Sequence, residues 1–182
     1  VVDNDPNDGK YKGNFFGDDV SGNLGTSGYL KVHGNAIVDG YFVMYGDGKT
    51  GKVGGNIYAG RRNADGNLWG TPGTFAYNAE NGELDTTRTK LGTGDVELSG
   101  VMEGVGTKIK VDGETKFIDG DIYAEGNVYI KDGTEVYGNV YAKGNVYIKN
   151  STVFGNVYCG GDMLVNEGRT GRPFVVRGHV FV

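Results

Sequence analysis

The chain has 182 residues, 35 of them glycine and only 3 proline, with a net charge of -5 at pH 7 and a pI near 5.0. That length suits one domain with its own core, and glycine without a G-X-Y period excludes collagen, while 12% aromatic residues exclude a disordered Gly-rich tract. The acidity leaves no basic footprint for a nucleic-acid backbone, and neither a membrane-spanning apolar run nor a leader-like charged and apolar segment is present.

Taken along the chain, residues 1–17 are polar and rich in Asp and Asn, and are expected to form an arm. Within it DNDPNDG, from Asp3, spaces Asp3, Asp5 and Asp8 as oxygen ligands for calcium, although the glycine comes one position late for an EF-hand and the twelfth position is Asn14 instead of Glu. The start Val1-Val2-Asp3 fits either a trimmed chain or a mature chain from which a leader was removed. GNAIVDGYFVMYG from Gly34 and GGNIYAG from Gly54 have apolar residues at alternate positions, the strand signature, and are read as turns of a coil. A β-sandwich over the first ninety residues stays open as an alternative. GDGKTGKV from Gly46 resembles a phosphate-binding loop but ends in Val53 where a hydroxyl is needed, and no helix follows. Residues 61–90 lose the period and read as an irregular insertion, with Arg61, Arg62, Trp69 and Tyr77 as candidate ligand contacts. GDVELSG from Gly94, TKIKVDG and TKFIDGDIYA are read as further coil turns.

From Gly120 the chain becomes strictly periodic: GDIYAE, GNVYIK, DGTEVY, GNVYAK, GNVYIK, NSTVF, GNVYCG, GDMLVN. Three such units make a turn, because Ile122 recurs as Val140 after 18 residues and as Val157 after 17. Strands of three residues divided by Gly-Asn fit an all-β fold, a parallel β-helix of triangular section with about 18 residues per turn, stable only as a stack. Alternation points Ile122, Val140 and Val157 inward, with Ala124, Ala142 and Cys159, then Val128, Val146 and Met163, then Ile130, Ile148 and Val165; Thr134 and Val136 face in on the third side with Phe154 nearby. The Gly-Asn pairs at 126–127, 138–139, 144–145 and 155–156 are expected at corners where positive φ is needed. Tyrosines face out in two rows: Tyr123, Tyr141 and Tyr158 on one face, Tyr129 and Tyr147 on the next.

The run from Gly120 to Val165 resembles the bactofilins and related polymer-forming β-helix domains, closely over about a quarter of the chain. The resemblance implies a right-handed triangular coil that polymerises end to end without a nucleotide, in a cytoskeletal or cell-surface role. The Asp-rich start favours a cell-surface or extracellular subunit over a cytoplasmic cytoskeletal one.

Chemistry is sparse. The hexapeptide acyltransferases share the period but need a catalytic His, and His33 and His179 sit at a corner and in the last strand. Asp119 and Asp121 flank Gly120, but Gly-Asp recurs at Gly94 and Gly161 as corner chemistry, and Cys159 falls in the inward ladder as a small buried thiol. The sequon at Asn150 lies in a corner that wants Asn anyway. Neither an enzyme nor a resident cofactor is expected. The C-terminal stretch, with Phe174, Val175, Val176, Val180, Phe181 and Val182, runs apolar to its last residue and reads as an open coil end suited to head-to-tail assembly of the chain with itself. The competing expectation is a carbohydrate-binding or adhesive module that uses the tyrosine rows or the Trp69 segment on a polysaccharide or cell wall.

Overall fold

The fold is described here from a computed structural model, for residues 10–11, 15–17, 31–38, 40–46, 51–60, 73–118, 120–167 and 173–182. These residues form strands and turns only, and the strands belong to three stacks of parallel strands and one antiparallel hairpin. In chain order the strands are β1 (Lys10–Tyr11), β2 (Phe15–Gly17), β3 (Lys31–Val32), β4 (Ala36–Val38), β5 (Phe42–Tyr45), β6 (Lys52–Val53) and β7 (Ile57–Ala59). They continue as β8 (Val96–Ser99), β9 (Gly104–Val105), β10 (Thr107–Val111), β11 (Glu114–Ile118), β12 (Ile122–Ala124), β13 (Val128–Lys131) and β14 (Glu135–Val136). The last seven are β15 (Val140–Ala142), β16 (Val146–Lys149), β17 (Thr152–Val153), β18 (Val157–Cys159), β19 (Met163–Asn166), β20 (Val175–Val176) and β21 (Val180–Phe181).

Sheet A runs β1-β3-β6-β9-β14-β17-β20, sheet B runs β2-β4-β7-β12-β15-β18-β21, and sheet C runs β5-β8-β13-β16-β19. The chain visits the sheets in rotation, so each return lays a strand beside its predecessor, an all-β arrangement of stacked parallel strands like that of a parallel β-helix. Among the described residues the rotation already runs from β1 to β7, all in parallel pairs, which is not the antiparallel pairing of a β-sandwich. Strands β1 and β2 already pair with β3 and β4, so the stacking begins inside the stretch expected to be an arm.

Register follows the apolar period. Ile57, Ile122, Val140, Val157 and Val180 are successive partners in sheet B, and Val96, Val128, Val146 and Met163 in sheet C. Most of these side chains are fully buried, in one cluster that runs the length of the stack. On the sheet A side the inward residue is Val153, buried and paired with Val136, while Phe154 turns outward onto Tyr137, ring centroids 5.3 Å apart. Met163 is only partly buried and Val165 is 38% exposed, because they lie on the last rung.

Two insertions interrupt the rotation. Ile57 and Ile122 pair across 65 residues, yet excising 61–93 and 107–119 would close that gap to 19, about one turn. Each insertion leaves and re-enters the stack between glycines in contact: a Cβ on Gly60 would lie 2.6 Å from the Gly94 Cα, and one on Gly120 2.5 Å from the Gly106 Cα. The second insertion corrects the reading of TKIKVDG and TKFID as coil turns, since β10 and β11 pair antiparallel about Asp112-Gly113, both at positive φ (52° and 80°). An Asp-Gly pair between alternating strands is the signal of a tight hairpin turn.

The corners work differently from the expectation. Gly126, Gly138, Gly144 and Gly155 are not among the glycines at positive φ. They are glycine because the turn below presses on them: a Cβ at 144 would stand 2.4 Å from Asn127 Oδ1, and one at 138 would stand 2.2 Å from Asp121 Oδ1. Those oxygens belong to side-chain ladders. In one, Asn35, Asn56, Asp121, Asn139 and Asn156 each accept the backbone N–H of the next, ending on His179 N–H, at 2.6–2.8 Å. In the other, Asp95 accepts from Asn127, Asn127 from Asn145 and Asn145 from Asp162, at 2.7–2.8 Å. Each Asx side chain thus satisfies a corner donor that the strand pairing leaves out.

Candidate functional site

Three features outside the core carry large side chains: the outer faces of sheets B and C, and the last rung.

On sheet B the expected row of Tyr123, Tyr141 and Tyr158 is present and longer than expected. Tyr58 precedes it and Phe181 follows it, giving centroid distances of 5.0, 4.9, 4.7 and 4.8 Å with interplanar angles of 4–6°. The repeat was visible as Ile57-Tyr58-Ala59 set against Ile122-Tyr123-Ala124, but the 65-residue gap between them hid it. The rings lean toward the start of their strands, where Tyr123 donates to Asp121 Oδ2 at 3.0 Å and Asn56 Nδ2 donates to the Tyr58 hydroxyl at 3.0 Å. Burial, helped by the Asp121 carboxylate, pushes the Tyr123 phenol up to about 12. On the other flank of the rings lies a groove of about 740 Å³. Its floor is Ala59, Ala124 and Ala142, and its far side is Gly60, Glu125 and Lys143, the last two ion-paired across rungs.

The second row is corrected. Tyr129 and Tyr147 point away from the core but not into solvent: they are 1% and 3% exposed. Residues 73–93 of the first insertion cover sheet C, with Phe75 5.9 Å from the Tyr129 ring. This cover is a small irregular hairpin, bridged at Thr74–Lys90 and Tyr77–Leu84. Its base is tied to the stack by Asp95, whose Oδ1 accepts from Asn127 and Oδ2 from Gly92 N–H at 3.0 Å. Burial of Asp95 raises its carboxyl pKa, the amide donors around it acting in the opposite direction but more weakly. Burial likewise pushes the Tyr147 phenol up to about 12. Tyr77 lies on the hairpin, 41% exposed and 6.2 Å from Phe75. Arg61, Arg62 and Trp69 lie outside the described residues, as do Asp3, Asp5 and Asp8. Among the described residues no group of three or more His, Cys, Asp and Glu side chains could hold a metal ion.

The last rung exposes what lower rungs bury. In the inward ladders Ile148 and Val157 are 0% exposed, while their partners Val165 and Val180 are 38% and 45% exposed. Phe181 and Val182 are 50% and 76% exposed, whereas Phe174 and Val176 pack partly on the core and Val175 is half-buried. Cys159, one rung below, is buried, its Sγ 3.2 Å from the Asp162 carbonyl, and burial pushes its thiol up. No helix among the described residues is long and apolar enough to cross a membrane.

No family model matches the chain, and no curated protein and no solved structure is similar to it.

Proposed function

We propose that the chain is a structural subunit that assembles head to tail with its own copies, each adding a closed, triangular, right-handed β-coil to the last. The hand follows from the strong preference of parallel crossovers and from the bactofilin-like run 120–165. The carrying observation is the last rung, where Val165, Val180 and Val182, in line with the buried inward ladders, stand open beside the edges of β19, β20 and β21, which have no further strand beside them among the described residues. Such an edge is a template for another strand, and a second copy of the same coil offers parallel strands of matching spacing to it. A cell-surface or extracellular polymer suits the acidic composition, with a cytoskeletal one as the alternative; neither requires catalytic chemistry or a cofactor.

A carbohydrate-binding or adhesive role is the second reading, favoured by the aromatic row. Ring geometry weakens it: rings 4.7–5.0 Å apart and nearly parallel turn their faces to each other, and sugar stacking uses faces.

Negative-stain microscopy tests the first reading. Unbranched fibres are expected from the full chain and none from Val180→Glu, which sets a charge on the open rung; fibres unchanged in Val180→Glu would refute the joint. Glycan binding lost on Trp69→Ala would instead support the module.

A further inference from the structure

The outer face of sheet B has a shape of its own. At every rung from Tyr58 to Tyr141 an outward ring is followed by an Ala whose side chain turns into the core and then by a corner residue, so a straight ridge and a straight groove over the bare strand run side by side along the stack. A face with one ridge and one parallel groove is complementary to itself when a second copy is turned about a two-fold axis parallel to the stack, because each ridge then lies over the other's groove. That operation keeps both copies pointing the same way and puts equal rungs at equal height. The ring spacing of 4.7–5.0 Å is therefore matched at every rung, which a partner of any other repeat would lose within a few rungs.

We infer that sheet B is a lateral interface for a second copy of this chain, Tyr58, Tyr123, Tyr141 and Tyr158 of one copy seated over Ala59, Ala124 and Ala142 of the other, in parallel. The inference rests on the polymer reading for its consequence but not for its geometry. Five rungs about 4.8 Å apart and about 15 Å wide bury roughly 350 Å² per copy, well below the roughly 800 Å² of a standard interface. A single pair of subunits therefore holds weakly, and pairing becomes firm only when many subunits in two coils engage together, as linked weak sites do. Polymerisation thus controls pairing, and the coils pair as parallel strands of a doublet.

The test separates the two readings by blocking the joint with Val165→Glu and Val180→Glu in the full chain. Sedimentation equilibrium of this protein should show a weak, reversible dimer. Tyr141→Glu, which breaks the ridge, and Lys143→Trp, which fills the groove from its solvent side, should each weaken it by about tenfold or more, as loss of a central interface aromatic does. Lys116→Glu, on the exposed hairpin, should leave it unchanged. A photo-crosslinking phenylalanine analogue at position 141 should label the partner near Ala142 and Lys143. A strictly monomeric end-blocked protein, a dimer indifferent to both face variants, or crosslinks to another rung would overturn the interface. If the unblocked chain makes no fibres while the end-blocked dimer behaves as expected, the polymer reading falls and the interface stands; fibres that remain single leave the polymer and sink the interface.

Discussion

Glycine 144 and Asp95 show how little side-chain volume and charge the corners tolerate. Gly144→Ala would place a methyl 2.4 Å from Asn127 Oδ1 and 2.9 Å from the Gly126 carbonyl carbon, disturbing the ladder and the backbone beneath it together. A loss of about 1–3 kcal/mol is expected from such overpacking, read as a lower urea midpoint. Gly82→Ala, at φ +67° with nothing within 4 Å of the added methyl, should cost only the left-handed strain of about 1 kcal/mol. Equal losses at both positions would contradict the close-approach account of the corners. At Asp95 the raised carboxyl pKa means that the folded chain takes up a proton before the unfolded chain does. This group's contribution to stability therefore grows as pH falls through its raised value, and levels off at the ordinary carboxyl value of about 3.9. Asp95→Asn removes that titration, so the stability of the natural chain minus that of the variant should rise from pH 7 toward pH 4. A difference that stays constant over this range would mean that the carboxyl is not perturbed.

Among the elements, the three-residue strands of 120–165 were legible because each turn repeats the last and like residues stack. The hairpin β10–β11 was not, because Thr107–Val111 and Glu114–Ile118 alternate just as coil strands do, and only Asp112-Gly113 and the five-residue strand length mark it as separate. The cover over sheet C was illegible for another reason: residues 73–93 have no period, and their packing rests on Phe75 and Asp95 meeting partners far along the chain. The outward direction of Tyr129 and Tyr147 could be read from alternation, but their burial could not. Because Gly60 and Gly94 are in contact, replacing 61–93 with a two- or three-residue turn should leave the coil folded. It should expose Tyr129 and Tyr147, so that their solvent-perturbation absorbance rises and the melting temperature falls. A coil that fails to fold without the insertion would show that the cover belongs to the core and is not an addition to it.

For the whole molecule, sheet B places one file of outward positions, Ile37, Tyr58, Tyr123, Tyr141, Tyr158 and Phe181, along the stack. The file ends on the exposed Phe181, so a head-to-tail joint would carry it on into the next copy. The rows Tyr123, Tyr141 and Tyr158 were foreseen from sequence because they lie within the strict repeat. The exposure of Val165 and Val180 was not, since it depends on the rung's place in the stack and not on its residues. Helical reconstruction of the fibres by electron cryomicroscopy tests the assembly most directly. The account predicts strands perpendicular to the fibre axis, stacked about 4.8 Å apart without a break through each joint, with β21 of each copy paired to a strand of the next. Fibres in which the coil axis lies across the fibre, or in which the last rung of each subunit faces solvent, would contradict it.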